Sequence, residues 1–243
     1  MLCRFLSVLV VLASPLISFG AEAQTGFLPK EFKNADDSVS KYVVFVPADY
    51  DGKTDYPVIL FLHGSGETKG DKSGKMPVEV GLGAAIKKQE KTFPFIVVIP
   101  QSEKRTWKAD SDDGKRALKM LDATMKEYKV DAKRQYLSGL SMGGFGTWSM
   151  AFTHADRWAA IVPVCGGGDP RGAEKIKDIP CWCFHGDKDT AVKVELSRSM
   201  IEALKMAGGK PKYTEYEGVG HNSWDAAYGT KELWTWLAEQ KQK

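Results

Sequence analysis

Short apolar runs, each too brief for a helix and lacking a polar face, recur along this chain and limit what it can fold into. The clearest are 57–62 (Pro-Val-Ile-Leu-Phe-Leu), 95–100 (Phe-Ile-Val-Val-Ile-Pro) and 160–165 (Ala-Ile-Val-Pro-Val-Cys). A strand with one wet face alternates apolar with polar residues, whereas a strand covered on both faces does not. Segments 41–47, 135–139, 181–184 and 212–216 are further candidate strands. Between most of them lie stretches of helical period. Leu118, Leu121, Met125 and Tyr128 share one face of 115–128. Leu196, Met200, Ile201 and Leu204 do so in 194–207, and Leu233, Trp236 and Leu237 in 232–239. Strands alternating with helices predict an α/β fold: a mainly parallel central sheet with helices on both faces. Segment 27–47, with Asn34-Ala-Asp-Asp37 between two candidate strands, predicts an antiparallel hairpin at the sheet edge.

The N-terminal stretch has a different character. Arg4 precedes an apolar run over 5–19, broken only by Ser7, Ser14, Pro15 and Ser18, and Ala21-Glu22-Ala23 fits a small-x-small cleavage site. This is the pattern of a secretory signal peptide over 1–23, with Gln24 as the mature N-terminus and an exported, periplasmic or extracellular product. The competing reading is an uncleaved anchor, which the short, proline-broken run disfavours. No later stretch reaches spanning length, so no membrane association is expected of the mature form. Residues 24–243 contain no linker, repeat or low-complexity tract and read as one domain. The net charge of +3 is balanced, with basic residues scattered among acids, which argues against nucleic acid as a partner. Cys165, Cys181 and Cys183 follow the leader, an odd count for an exported chain. Their plainest role is buried apolar filler, and a disulfide from Cys165 to the strand holding the other two stays open.

The chemistry begins at Gly139-Leu140-Ser141-Met142-Gly143-Gly144, directly after a candidate strand and before a helical pattern over 145–152. A GxSxG sequence is common by chance, but in a strand–turn–helix setting it marks a nucleophilic serine on a turn too tight for flanking side chains. The helix start then aims amide donors at developing negative charge. Ser141 needs a base. His63 and His185 each end an apolar run before glycine, and His154 closes the helix after the serine. His221 sits in the loop Gly218-Val-Gly-His-Asn-Ser223, after the last strand and before the last helix, and is the expected base. The orienting carboxylate comes from His185-Gly-Asp-Lys-Asp189. Asp189 lies further round the turn and is preferred, with Asp187 shaping the turn. The expected oxyanion donors are the backbone N–H of Met142 and that of Ser65, with Gly64 as the alternative to Ser65. No metal and no organic cofactor is required by this chemistry.

These residues resemble the α/β-hydrolases. The match is to secreted esterases and peptidase-like hydrolases related to polyhydroxybutyrate depolymerases, feruloyl esterases and prolyl-oligopeptidase-like enzymes. The similar pieces are His63-Gly-Ser-Gly-Glu67, Tyr136-Leu-Ser-Gly-Leu-Ser-Met-Gly-Gly144, Val162-Pro-Val-Cys-Gly-Gly-Gly168, Phe184-His-Gly-Asp-Lys-Asp189 and Gly220-His-Asn-Ser-Trp224. The resemblance implies the α/β-hydrolase fold, Ser141, Asp189 and His221 as a triad, and cleavage of esters or amides. It also favours core packing for Cys181 and Cys183, where relatives often carry aliphatic residues.

The interval 166–180, where many lipases insert a lid, is too short for a cap domain, so an open cleft is expected. Trp107 and Trp224 are loop residues expected to form an aromatic wall, and Glu67 joins them as a substrate-binding candidate. Trp148 follows Ser141 on the same helix and reads as core. The expected activity is a serine carboxylesterase working through an acyl-enzyme on a small or polymer-linked ester. A serine peptidase on the same fold and a catalytically silent binding module are the alternatives.

Overall fold

A computed structural model of the chain describes residues 24–72 and 76–242. The expected leader, 1–23, lies outside the described residues. The strands, in chain order, are β1 (Gly26–Lys33), β2 (Val39–Val46), β3 (Tyr56–Leu62), β4 (Ile96–Pro100), β5 (Val130–Leu140), β6 (Ala160–Val164), β7 (Trp182–Gly186) and β8 (Lys212–Tyr216). They form one eight-stranded sheet in the order β1-β2-β4-β3-β5-β6-β7-β8. From β4 to β8 every neighbouring pair is parallel. The hairpin β1–β2 adds an antiparallel edge, as expected of segment 27–47.

The helices are α1 (Leu82–Lys87), α2 (Asp112–Glu127), α3 (Met142–Thr153), α4 (Ala173–Ile176), α5 (Glu195–Met206), α6 (Trp224–Gly229) and α7 (Lys231–Glu239). The apolar runs are buried on both faces because successive side chains of a strand point to opposite sides. In β3, Val58, Leu60 and Leu62 meet a cluster with Leu121 of α2, Trp148 of α3 and Met200 of α5. Ile59 and Phe61 meet the opposite cluster, with Leu82 of α1, Tyr228 of α6 and Leu233 of α7. Each such side chain contributes about 1.5–3 kcal/mol when fully buried.

Helix α2 starts earlier than its apolar period. Ser111 caps it by accepting the Gly114 N–H, and the polar first turn, Asp112 and Asp113, carries no apolar signal. Helices α1 and α4 are too short to show a period. The interval 166–180 holds only a 3-10 turn at Pro170–Gly172 and α4, and among the described residues no cap domain is inserted there. Cys165 belongs to one face of the sheet and Cys181 and Cys183 to the other, and all three are buried and unpaired. The open question of a disulfide is thereby answered against it, because the sheet separates the thiols.

Candidate active site

Strand β3 has β4 on one side and β5 on the other, so the chain reverses its direction of travel across the sheet at this point. Such reversals leave a crevice at the carboxyl ends of the strands, where ligands bind in open α/β sheets. The loop after β3 (63–67) and the turn after β5 (139–144) meet there. The turn is tight because it crosses the end of β3. A Cβ on Gly143 would strike the Leu62 carbonyl oxygen, and one on Gly139 would strike that of Gly143. Ser141 stands at the tip with φ 52° and ψ −117°. A non-glycine residue held there costs roughly 1–3 kcal/mol, a strain the surrounding packing must impose. Its N–H is tied to the Val164 carbonyl at 3.0 Å.

Ser141 Oγ lies 2.9 Å from His221 Nε2, and His221 Nδ1 lies 2.7 Å from Asp189 Oδ2. A carboxylate can only accept, so Nδ1 carries the ring proton and Nε2 offers its lone pair to the serine hydroxyl. The backbone N–H groups of Ala191 and Val192 both donate to Asp189 Oδ1 at 2.9 Å. Burial alone would raise the Asp189 carboxyl, but donation from His221, Val192 and Ala191 outweighs it and holds the group below its ordinary value. Asp187 is turned elsewhere: its Oδ1 accepts the Gly218 N–H at 2.7 Å, which pins the start of the loop carrying His221. A serine, imidazole and carboxylate in this order can move a proton off Oγ while a bond forms to an electrophilic carbon.

The loop after β3 is held from beneath. Ser102 N–H donates to His63 Nε2 at 2.9 Å, so the proton sits on Nδ1, which donates to the Gly64 carbonyl at 2.6 Å. The Gly64 carbonyl and the Ser65 N–H belong to one planar trans peptide and point in opposite directions. His63 therefore sets the direction of the Ser65 N–H. The Gly64 N–H is already taken by Glu67 Oε2 at 2.9 Å, which leaves Ser65 rather than Gly64 as the donor available from this loop. Met142 N–H is at the first turn of α3, where no preceding helical carbonyl reaches it.

Burial lowers His63 to about 4, so the neutral ring belongs to the folded state. The unfolded chain protonates first as pH falls, near the ordinary value of 6.5. His63 thus contributes stability fully present above that value and lost as pH drops toward 4, at most about 3 kcal/mol. In urea unfolding, the stability gap between the wild type and His63→Gln should shrink by up to that amount between pH 7 and pH 4. A gap that does not change with pH would show that the ring is not held neutral.

Two expectations about the cleft are corrected. Trp107 is only 2% exposed and forms no wall. Its Nε1–H donates to the His63 carbonyl at 2.9 Å and its ring meets the His63 ring edge-on, so it supports the loop from within. Glu67 is 5% exposed, because its carboxylate is drawn inward to the Gly64 amide. Trp224 is half-buried with its ring 5.2 Å from that of His221. Trp148 is core, as expected. Sequence reasoning passed over Phe145 and placed Leu196 only on the packed face of 194–207; each is 40% exposed, and the two approach one another over Gly167. Phe145 was detectable: it follows Ser141 by one helical turn, and its N–H donates to the Ser141 carbonyl.

Cys165, with φ 39°, lies behind this chain of side chains, and its Sγ and the ligand atoms of Asp189 and His221 fall within 4.8 Å of one another. Burial pushes its thiol up to about 12, and a metal here would have to break the Asp189–His221 hydrogen bond. The trio is better described as packing behind the serine than as a metal centre.

Residues 44–158 match the model of the BD-FAE family. The chain is 34% identical over 105 residues to a bifunctional acetylxylan esterase/xylanase of Neocallimastix patriciarum, covering 42% of this chain and 16% of that protein. It is 24% identical over 190 residues to a probable feruloyl esterase C of Aspergillus niger, covering 76% of this chain and 68% of the relative. Among solved structures, a thermostable esterase aligns with TM-score 0.78 and 33% identity, over 89% of this chain and 63% of that one. The chain thus spans only part of the first relative and of this structural neighbour.

Proposed function

We propose that this chain, which has the α/β-hydrolase fold of its esterase relatives, is a serine hydrolase that cleaves carboxylic esters through an acyl-enzyme. The observation that carries this reading is the unbroken contact from Ser141 Oγ through His221 to Asp189 on a strained turn at the sheet's switch point. In the proposed reaction His221 Nε2 takes the hydroxyl proton as Oγ bonds to the ester carbonyl carbon. The carbonyl oxygen becomes an oxyanion facing the Met142 and Ser65 amides. The intermediate collapses, the C–O bond to the alcohol breaks, and the leaving alkoxide receives the proton from His221. Water then repeats the steps on the acyl-enzyme and releases the acid.

Trp224 beside His221, and Phe145 one helical turn after Ser141 with Leu196 near it over Gly167, offer apolar surface to the acyl or alcohol part. The substrate class is an ester, small or polymer-linked, in keeping with relatives named for acetylxylan and feruloyl esters. We further propose that 24–243 is one catalytic domain and that 1–23 directs export. No helix of the described residues is long and apolar enough to cross a membrane.

With no cap domain among the described residues between β6 and β7, the enzyme should show simple saturation on soluble short-chain esters, with no jump in rate at the solubility limit and no strong preference for long acyl chains. A sharp rise at the onset of emulsion would show that some segment closes over the site. A fluorophosphonate probe should label the wild type and not Ser141→Ala, and a silent binding module would not be labelled at all. A paired panel of ester and amide substrates separates the esterase from the peptidase reading: faster turnover of the amide would overturn the first.

A further inference from the structure

His185, at the end of β7, is fully buried and takes no part in the proton path above, yet it touches the same carboxylate oxygen as His221. Its Nε2 lies 3.1 Å from Asp189 Oδ2 and 2.9 Å from the Val192 carbonyl oxygen. Both neighbours can only accept, so Nε2 must carry a proton. On the other side of the ring, Nδ1 lies 2.7 Å from Ser197 Oγ, which in turn lies 3.0 Å from the Gly166 carbonyl. Ser197 has one proton for these two neighbours, but either placement leaves the Nε2 proton where it is. Asp189 then receives four donors: two amides on Oδ1 and two imidazoles on Oδ2.

We propose that His185 is a positioning residue for the reaction, donating its Nε2–H to Asp189 Oδ2 and so fixing the carboxylate rotamer and moderating the charge that His221 meets. The proposal rests on the Ser141–His221–Asp189 reading. Its physical basis is the sharing of one oxygen. A carboxylate oxygen that already accepts one hydrogen bond carries less negative charge toward the second donor. Remove the His185 donor, and Asp189 holds a protonated His221 more tightly while gaining freedom to rotate about its side-chain torsions. The first effect moves the acid limb of the kcat/KM profile to higher pH, and the second lowers kcat. The charged group beside His185 on the neighbouring strand is Glu215 of β8, itself bonded to Arg198 of α5 and to Tyr213; Cys183 lies two residues before His185 on the same side of β7, and His221 lies beyond Asp189. Of these, only His221 makes a hydrogen bond to Asp189 itself, so it is the group through which the loss would be read.

The test compares His185→Leu, which removes the donor, with His185→Gln, whose amide can restore it. His185→Leu should lower kcat on the order of 10–100-fold, as is typical for outer partners of reactive groups. KM should stay within about twofold, since no contact to substrate is lost. The acid limb should move to higher pH, and His185→Gln should return both kcat and the limb toward the wild type. A residue that merely packs would lower the melting temperature in both variants and leave the limb in place, which would overturn the proposal. In case His185→Leu does not fold, nitrogen-15 NMR of histidine-labelled wild type gives an independent reading, with His185 signals assigned by their loss in His185→Gln. Nε2 of His185 must appear protonated at pH 8, and an unprotonated Nε2 refutes the assignment. If instead Ser141→Ala or His221→Ala keeps full turnover, the underlying reading has failed and not this inference alone.

Discussion

Ser141→Ala should lose ester turnover by roughly 10⁴-fold or more, while folding as the wild type does. The size of the loss follows from the covalent step. Without Oγ, His221 and the Met142 and Ser65 amides remain, but there is no atom to form the acyl-enzyme. The residual rate must then come from water attack in an oxyanion site alone. Folding should be spared for a conformational reason. Ser141 sits at φ 52°, and alanine carries the same Cβ, so the strain of the turn is neither relieved nor increased. The hydroxyl's contact is with His221 Nε2, whose side chain is 28% exposed, so the freed nitrogen can turn to water. The checks are kcat/KM on a short-chain ester and the melting temperature of the same sample. Turnover within tenfold of the wild type, in a folded variant, would remove Ser141 from the reaction.

Asp189→Asn should cost about as much, roughly 10⁴-fold in turnover, and the geometry gives the reason. Oδ1 is surrounded by two backbone N–H groups, from Ala191 and Val192, that no rotation can redirect. The asparagine oxygen must therefore take the Oδ1 position, which leaves the NH2 group at Oδ2. There it faces His221 Nδ1, which must give up its proton to accept. The ring proton then moves to Nε2, so the nitrogen facing Ser141 donates where it should accept. The same NH2 group also opposes the His185 Nε2–H. Asp187→Asn meets no such conflict. Its hydrogen bond from the Gly218 N–H is one that an asparagine oxygen accepts equally well, and the ion pair it would lose, to Lys188 at 3.6 Å, is with a solvent-exposed side chain. Its loss should stay below about tenfold. Steady-state kinetics on the two variants side by side decides the matter, and the opposite ranking would show that the acid is misplaced.

Much of this was legible in one dimension. The runs 57–62, 95–100 and 160–165 are β3, β4 and the strand β6 with Cys165, because a residue buried on either face of a sheet must be apolar whatever covers it. Gly139, Gly143 and Gly144 around Ser141 mark a turn whose backbone runs against other backbone, which no side chain tolerates. The loop position of His221 and the turn position of Asp189 follow from strand ends, since in a parallel sheet those ends share one edge. The short helices α1 and α4 and the early start of α2 left no periodic trace.

Where a side chain points within a loop depends on contacts with residues far away in the chain, and these carry no local signature. Trp107 was expected in a cleft wall and is instead buried, because the carbonyl of His63, across the fold, accepts its indole N–H. Glu67 is a different case: it turns inward to accept the Gly64 N–H only three residues back, the reach-back contact of a capping box, so its signal was local. The most consequential case is His185. In sequence it reads as the end of an apolar strand before a glycine, the same context as His63, and nothing local separates the two. Packing of α5 and the 187–192 turn against β7 brings one ring to the carboxylate that holds His221, and leaves the other under the loop bearing Ser65. Hydrophobic pattern alone determined the sheet, its covering and the strand ends that carry the reacting groups. The long-range partners, such as His221 for Ser141 and the His63 carbonyl for Trp107, were decided only when distant segments closed together, since a hydrogen bond depends on distance and direction in space and not on separation along the chain.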